Sequence, residues 1–275
     1  MKKLVSVLVL LMVLVACDSS SGEEASTWDE IEESGEIVFA TAGTLYPASY
    51  YPEGSDELTG YDVEVIREVA SRLDLEVNFE VMAYDAMLAA LQSGRVDIIT
   101  AGPREESEDN FIFSQPIKYS YSTMIVRSED HSGIEKLEDL EGKKAGGAAT
   151  TVYSDIAEKY GAEVVTYGNA TNDVYLRDVE NGRTDVVIND YYLQSLALEA
   201  FPEMEIELHP DLRFHPQTVS VVADLGNDEL GERIEQTISE MKEDGTLTEI
   251  SAEFFGGQDV SQEITEDIEE IDGIE

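Results

Sequence analysis

The sequence predicts an α/β protein built as two lobes, and three observations carry that prediction. Two successive runs read strand, helix, strand, helix, strand, the order that lays parallel strands side by side under crossover helices. Two extended segments, residues 113–130 and 209–224, lie between and after those runs, placed to cross from one lobe to the other. Hydrophobic residues make up 42% of 275, enough for two modest cores.

The elements follow in order. EIVFATA (36–42) alternates and carries β-branched residues, so it reads as a strand. GYDVEVIREVASRL (60–73) places Val63, Ile66, Val69, Ala70 and Leu73 at helical spacing, with acids near its start where they suit the helix dipole. LEVNFEVM (75–82) is a strand, YDAMLAALQSG (84–94) a helix closed by Gly94, and VDIITAG (96–102) a strand. The second run is KKAGGAA (143–149), a helix from Val152 to Tyr160, AEVVTY (162–167), a helix over DVYLRDVENG (173–182) and TDVVIND (184–190). LQSGRVDIIT (91–100) and VENGRTDVVI (179–188) echo each other: a glycine ends a helix and an aspartate opens the next apolar strand. Residues 228–256 read as helix with a break at Gly245. Beyond them, 257–275 carries eight acids and no base; Ile264, Ile268 and Ile271 could form one stripe, but a tail this charged is expected to be disordered.

Charge excludes some functions. Lys and Arg number 17 against 60 Asp and Glu, a net charge of −43, which repels nucleic acid and anionic lipid head groups. The acids run along the whole chain, as on the solvated surface of a halophilic protein in strong salt. Lys2 and Lys3 precede the apolar run LVSVLVLLMVLVA, too short for a comfortable span and laid out as a secretory signal. LVAC (14–17) resembles a bacterial lipobox, in which the thiol is acylated; Cys17, the only cysteine, is the expected lipidation site. The division is then a signal peptide over 1–16, a lipidated tether over 17–27, a first lobe over 28–122 and 213–256, a second lobe over 123–212, and the tail. The chain is expected outside the cytoplasm, held to the membrane by lipid alone (on the periplasmic side in a Gram-negative cell).

GYDVEVIREVASRL resembles the signature of the bacterial extracellular solute-binding proteins of family 3, the polar amino-acid receptors of ABC importers. WDEIEESGEIVFAT, TLYPASYY, SGRVDIITAG, FSQPI, LEDLEGKKAGG, GRTDVVIND and KEDGTLTEISAEFFG arrive in that family's order, so the likeness covers residues 28–256. It implies the type II periplasmic binding protein fold, two α/β lobes joined by two hinge strands around a ligand cleft. It also implies a monomer that takes no cofactor and hands a small polar solute to ABC permease subunits.

The resemblance further implies a site for a zwitterion, which needs a cation for the carboxylate and an anion for the ammonium. Asp190 matches the second-lobe acid that takes the ammonium; it could equally cap the helix after it. Tyr46 matches the ligand-stacking aromatic, although Ser49 stands where the family commonly has Phe. Thr150 and Thr151 resemble the Gly-Thr-Thr turn that meets the carboxylate, with Ala149 in place of the glycine. Ala101 and Gly102 bring backbone amides to the ligand. The family's carboxylate-binding Arg falls, counted back from Phe113 and Ser114, on Ser107, and the segment is two residues short after Gly102. Two readings of Arg104 stay open: a displaced carboxylate ligand at the cleft mouth, or a surface cation paired with Glu105, Glu106 or Glu108.

An enzyme is not expected. The sequence has no GxSxG, HExxH or GxxxxGK[ST] pattern and no Cys/His cluster for a metal. His131, His209 and His215 read as loop and hinge residues. A dehydratase-like enzyme and a ligand-presenting subunit of a sensor are the alternatives the same fold allows. Among solutes, an amino acid is expected first; a carboxylate-bearing compatible solute such as ectoine suits the acidic surface.

Overall fold

The structure is a computed structural model that describes residues 27–103 and 109–274. The signal peptide, Cys17 with most of the tether, and Arg104 with Ser107 lie outside the described residues.

In the first lobe, α1 (Thr27–Ser34) leads into β1 (Glu36–Thr41), and a short hairpin of β2 (Thr44–Leu45) and β3 (Ser49–Tyr50) precedes α2 (Tyr61–Arg72). Then come β4 (Glu76–Val81), α3 (Tyr84–Gln92), β5 (Ile98–Ala101) and β6 (Phe111–Phe113). β4 and β5 pair in parallel on either side of β1, as the first strand-helix run predicts. Val63, Ile66, Val69 and Ala70 of α2 are buried, with Tyr61 and Val65 widening the predicted stripe. Gly60 starts this helix at φ 128°, and a Cβ there would collide with the carbonyl of Ala48. The glycine is required by space and by backbone angle.

β7 (Lys118–Arg127) leaves the first lobe and opens the second. There β8 (Lys144–Gly147), α4 (Val152–Lys159), β9 (Glu163–Thr166), α5 (Asn172–Glu180), β10 (Val187–Asp190) and α6 (Tyr191–Ala200) repeat the pattern. The long β11 (Ile206–Asp224) returns. It pairs antiparallel with β7 from Ile206 to Val219 and with β5 from Ser220 to Ala223. One strand thus belongs to both lobes, and the β7–β11 pair is the double crossing expected from the two extended segments. α7 (Asp228–Glu243) and α8 (Thr246–Phe254) close the first lobe, broken at Gly245 where φ is 87°. The two main buried apolar clusters follow the lobes, with Leu193 of α6 joining the first. Phe39, Tyr61 and Ile98 pack with α7 and α8 residues, whereas Met124, Ile134, Ile156 and Val186 form a core of the second lobe.

The sequence echo has a structural counterpart. Asp97 accepts the Val38 N–H at 2.7 Å while donating its own N–H to the Val38 carbonyl; Asp185 does the same to Lys144, accepting at 2.9 Å. In each lobe an aspartate at a strand start stitches the third strand to the first.

The acidic tail departs from expectation. It is laid along both lobes without regular secondary structure, because its few apolar side chains find slots while most of its described acids face water. Val260 is buried against the first-lobe core and its carbonyl accepts the Tyr119 N–H at 2.7 Å. Glu269 bridges to Phe214, and Ile271 is buried in the second-lobe core. Of the anticipated stripe, Ile271 is buried and Ile264 and Ile268 are half-buried. Among the described residues, no helix is long and apolar enough to cross a membrane.

Candidate functional site

In open α/β sheets, ligands settle outside the carboxyl ends of parallel strands. Here those ends face one another: Thr41 and Ala42 at the end of β1 and Thr100–Gly102 at the end of β5 on one side, Gly147 and Ala148 at the end of β8 and Asn189 of β10 on the other. Together with the hinge they line a cleft of about 720 Å³. Lys118, Tyr119, Gln217 and Thr218 of the crossing strands form its floor. Gly102 lies so close to β11 that a Cβ would stand 3.0 Å from the Thr218 carbonyl.

The charged groups are concentrated at the hinge. Lys118 is 4% exposed, and its Nζ lies 2.7 Å from Asp190 Oδ2. Asp190 Oδ1 accepts the Leu193 N–H at 3.0 Å, capping α6. Asp62, near the start of α2, lines the cleft, and its Oδ2 accepts the Thr100 hydroxyl at 2.7 Å. Burial pushes the Asp62 carboxyl up; the Lys118 charge and the Thr100 hydrogen bond oppose this, and Asp190 adds to it. Among the described lining residues Lys118 is the one Lys or Arg.

Across the cleft, the turn before α4 already holds a carboxylate. Asp85, in the first turn of α3, accepts the Thr150 N–H at 3.0 Å and the Thr150 hydroxyl at 2.7 Å through Oδ1, and the Ala149 N–H at 3.3 Å through Oδ2. The turn therefore has the anion-binding character its sequence suggests. Ala149 is not among the described residues with positive φ, so replacing glycine costs nothing there. Thr151 caps α4, accepting the Ser154 N–H at 3.3 Å.

Of the expected site residues, Ala101, Gly102, Thr150 and Thr151 line the cleft. Asp190 stands behind the wall, 2% exposed and engaged through both oxygens. Tyr46 is not a lining residue either: its ring packs edge-on against Tyr50, centroids 4.9 Å apart, because the turn through Pro47 directs it along the β2–β3 hairpin. Arg104 lies outside the described residues. Aromatic surface comes instead from Tyr84, Tyr119, Tyr153, Tyr167 and Tyr175. Sequence reasoning passed over Asp62, Lys118 and Gln217. Asp62 sits inside the quoted GYDVE stretch, and Lys118 opens a strand in which hydroxyl and apolar residues follow until Arg127 at its far end. Among the described residues there is no cluster of three acid, His or Cys side chains fit for a metal ion.

Two α/β lobes joined by paired crossing strands, with a polar cleft between them, define a hinged ligand-binding protein. Residues 37–257 match the model of the bacterial extracellular solute-binding proteins, family 3, and the chain belongs to that family. It is 48% identical over 271 residues to the "Probable ABC transporter extracellular-binding protein YckB" of Bacillus subtilis (strain 168), covering 96% of this chain and 94% of YckB. The crystal structure of the B. subtilis protein superposes with a TM-score of 0.71 at 51% identity, over 89% of this chain and 99% of that one. The L-cystine-binding protein TcyA of B. subtilis (strain 168) is 32% identical over 266 residues, 92% of this chain and 96% of TcyA.

Proposed function

We propose that this protein captures a free amino acid or a close derivative in its interlobe cleft and delivers it to the permease of an ABC importer. The observation that carries the reading is that the cleft presents both signs of charge, Asp62 and Lys118, to one ligand-sized space between hinged lobes. A zwitterion satisfies both at once, and charge-assisted hydrogen bonds in a cleft that closes over its ligand are the strong kind. The naming of relatives for binding, one of them for L-cystine, supports the same reading over catalysis.

The protein works as a monomer outside the cytoplasm, tethered through an acyl chain, such as palmitate, on Cys17 of LVAC. Its acidic surface suits strong salt. The test is a thermal-shift and calorimetric screen of the domain from residue 27 onward, in high salt, against the L-amino acids, L-cystine and ectoine. One or more amino acids should raise the melting temperature and bind at one site per chain. A screen in which no amino acid binds, or in which a bound amino acid is turned over, overturns the reading.

A further inference from the structure

We propose that Lys118, a hinge residue, holds the carboxylate of the bound amino acid, with Asp190 as the positioning residue that aims it. This deepens the amino-acid reading above and rests on it.

Two places in the cleft offer donors to a carboxylate. The turn at Ala149 and Thr150 is the obvious receptor, but its two amides and its hydroxyl already donate to Asp85 of the facing lobe. A ligand carboxylate would have to expel that group and leave Asp85 beside it, like charge against like. The cleft floor is different. Lys118 lines it, buried to 4% exposure, and a buried ammonium is costly unless its donors are used. An ammonium has three N–H donors. Among the described residues, one acceptor, Asp190 Oδ2, is within hydrogen-bond distance of Nζ. Two donors are left for a group entering the cleft.

The pair is also pre-set. Asp190 is fixed by the first turn of α6 through Oδ1 and by β10, whose Asp190 stands opposite Ser122 of β7. Lys118, at the start of β7, pairs with Val219 of β11 on its other side. Both partners of the ion pair are therefore on strands at the lobe junction, so the ammonium is held in place before ligand arrives, and little side-chain entropy is lost on binding. Asp62 completes the arrangement. It lines the same cavity, it is close enough to Lys118 to feel its charge, and Thr100 is the one described hydrogen-bond partner of its carboxylate. An amino acid placed with its carboxylate on Lys118 and its ammonium on Asp62 alternates charge along the sequence Asp190, Lys118, ligand carboxylate, ligand ammonium, Asp62. No charge is then left buried without an opposite neighbour.

The test is a cycle between protein and probe, using L-cystine with cystamine, its counterpart lacking both carboxylates, and L-arginine with agmatine as a second pair. Wild-type protein should prefer the carboxylate-bearing member by roughly tenfold or more. Lys118→Met should shrink that preference at least tenfold by weakening the acid far more than the amine, and Lys118→Arg should restore part of it. A merely structural lysine would weaken both probes alike and leave the ratio unchanged, which overturns the proposal. Because Lys118→Met leaves Asp190 buried without its partner, the Lys118→Met/Asp190→Asn double variant is measured beside it, and it too should lose the preference. A preference erased by Arg104→Ala but kept in Lys118→Met also overturns the assignment. If wild-type protein binds neither probe pair nor any amino acid, the amino-acid reading fails and this inference falls with it. Binding with an intact ratio in Lys118→Met sinks the inference alone.

Discussion

Asp85 and Thr150 join the two lobes directly: one carboxylate oxygen of Asp85 accepts both the backbone N–H and the hydroxyl of Thr150 across the cleft mouth. A second link, from Asn172 Nδ2 to the Tyr46 carbonyl at 3.5 Å, is long and weak, as is the 3.1 Å contact between Thr44 and Asn169 on the exposed rim. The Asp85 contact is thus the best-formed polar latch between lobes among the described residues. It is solvent-accessible, so its contribution is small, about 1 kcal/mol or less. Asp85→Ala should leave global stability nearly unchanged while shifting ligand-free protein towards open forms. Small-angle scattering would register a larger radius of gyration without ligand and the wild-type value with ligand. An unchanged ligand-free radius would show that the latch does not set the lobe equilibrium.

The Lys118–Asp190 pair sits at the other end of the exposure scale, with side chains 5% and 2% exposed. Removing one member leaves the other charged and buried. Asp190→Ala should therefore cost about 3–5 kcal/mol in denaturant unfolding, and it also deletes the cap on α6. Asp190→Asn, which keeps the cap, should cost less. Equal stability of wild type and Asp190→Ala would mean that Lys118 finds another acceptor.

The fold was legible because each lobe repeats a pattern whose periods are strong: helical stripes such as Val63, Ile66, Val69 and Ala70, and strands opened by Asp97 and Asp185. Those two aspartates looked like punctuation, yet each stitches two parallel strands. Residues at strand ends, such as Ala101 and Gly102, reach the cleft because topology alone puts them there. Tyr46 does not, because a side chain in a short turn answers to its immediate neighbour Tyr50. Lys118 was illegible for another reason. Its partner lies 72 positions away, and only the antiparallel pairing of β7 with β10 brings them together. Composition misread the tail, since eight acids outweigh two well-placed apolar residues in any average but not in a packed structure.

Asp62 gives the cleft a pH dependence. Burial holds its carboxyl above the usual range, against the pull of Lys118 on β7 and Thr100 on β5 and with the push of Asp190. A carboxyl raised in the folded state favours the protonated form. Its contribution to stability is present at acid pH, below its unfolded value, and is lost as pH rises through the folded one. Binding runs the opposite way, because a ligand ammonium needs the ionised carboxylate. Amino-acid affinity should rise with pH across the acid range, and binding below neutrality should release a proton. Calorimetry in buffers of different ionisation enthalpy would read that proton directly. Asp62→Asn should bind more weakly and release none; equal proton release by this variant would assign the effect elsewhere.

The family match ends at residue 257, and the chain beyond it runs from the first-lobe core at Val260 to the second-lobe core at Ile271. Between these anchors Glu266 pairs with Arg213 at 3.3 Å and the Glu269 carbonyl accepts the His215 N–H at 2.7 Å; just past Ile271 the Asp272 carbonyl accepts from Lys159. Glu263, Ile264, Glu270 and Ile274 border the cleft. The tail is therefore a third connection between lobes, laid beside the two hinge strands. Ile271→Ala should cost about 2–4 kcal/mol, since the side chain is 6% exposed among Ile134, Ile156 and Phe214 neighbours of one cluster. Deleting residues 263–275 keeps Val260 and so spares the first lobe. It should lower second-lobe protection in hydrogen exchange, most of all along β11 near Phe214 and His215, and speed ligand release. Exchange along β11 that matches wild type in the truncated chain would reduce the tail to a passive passenger on the surface.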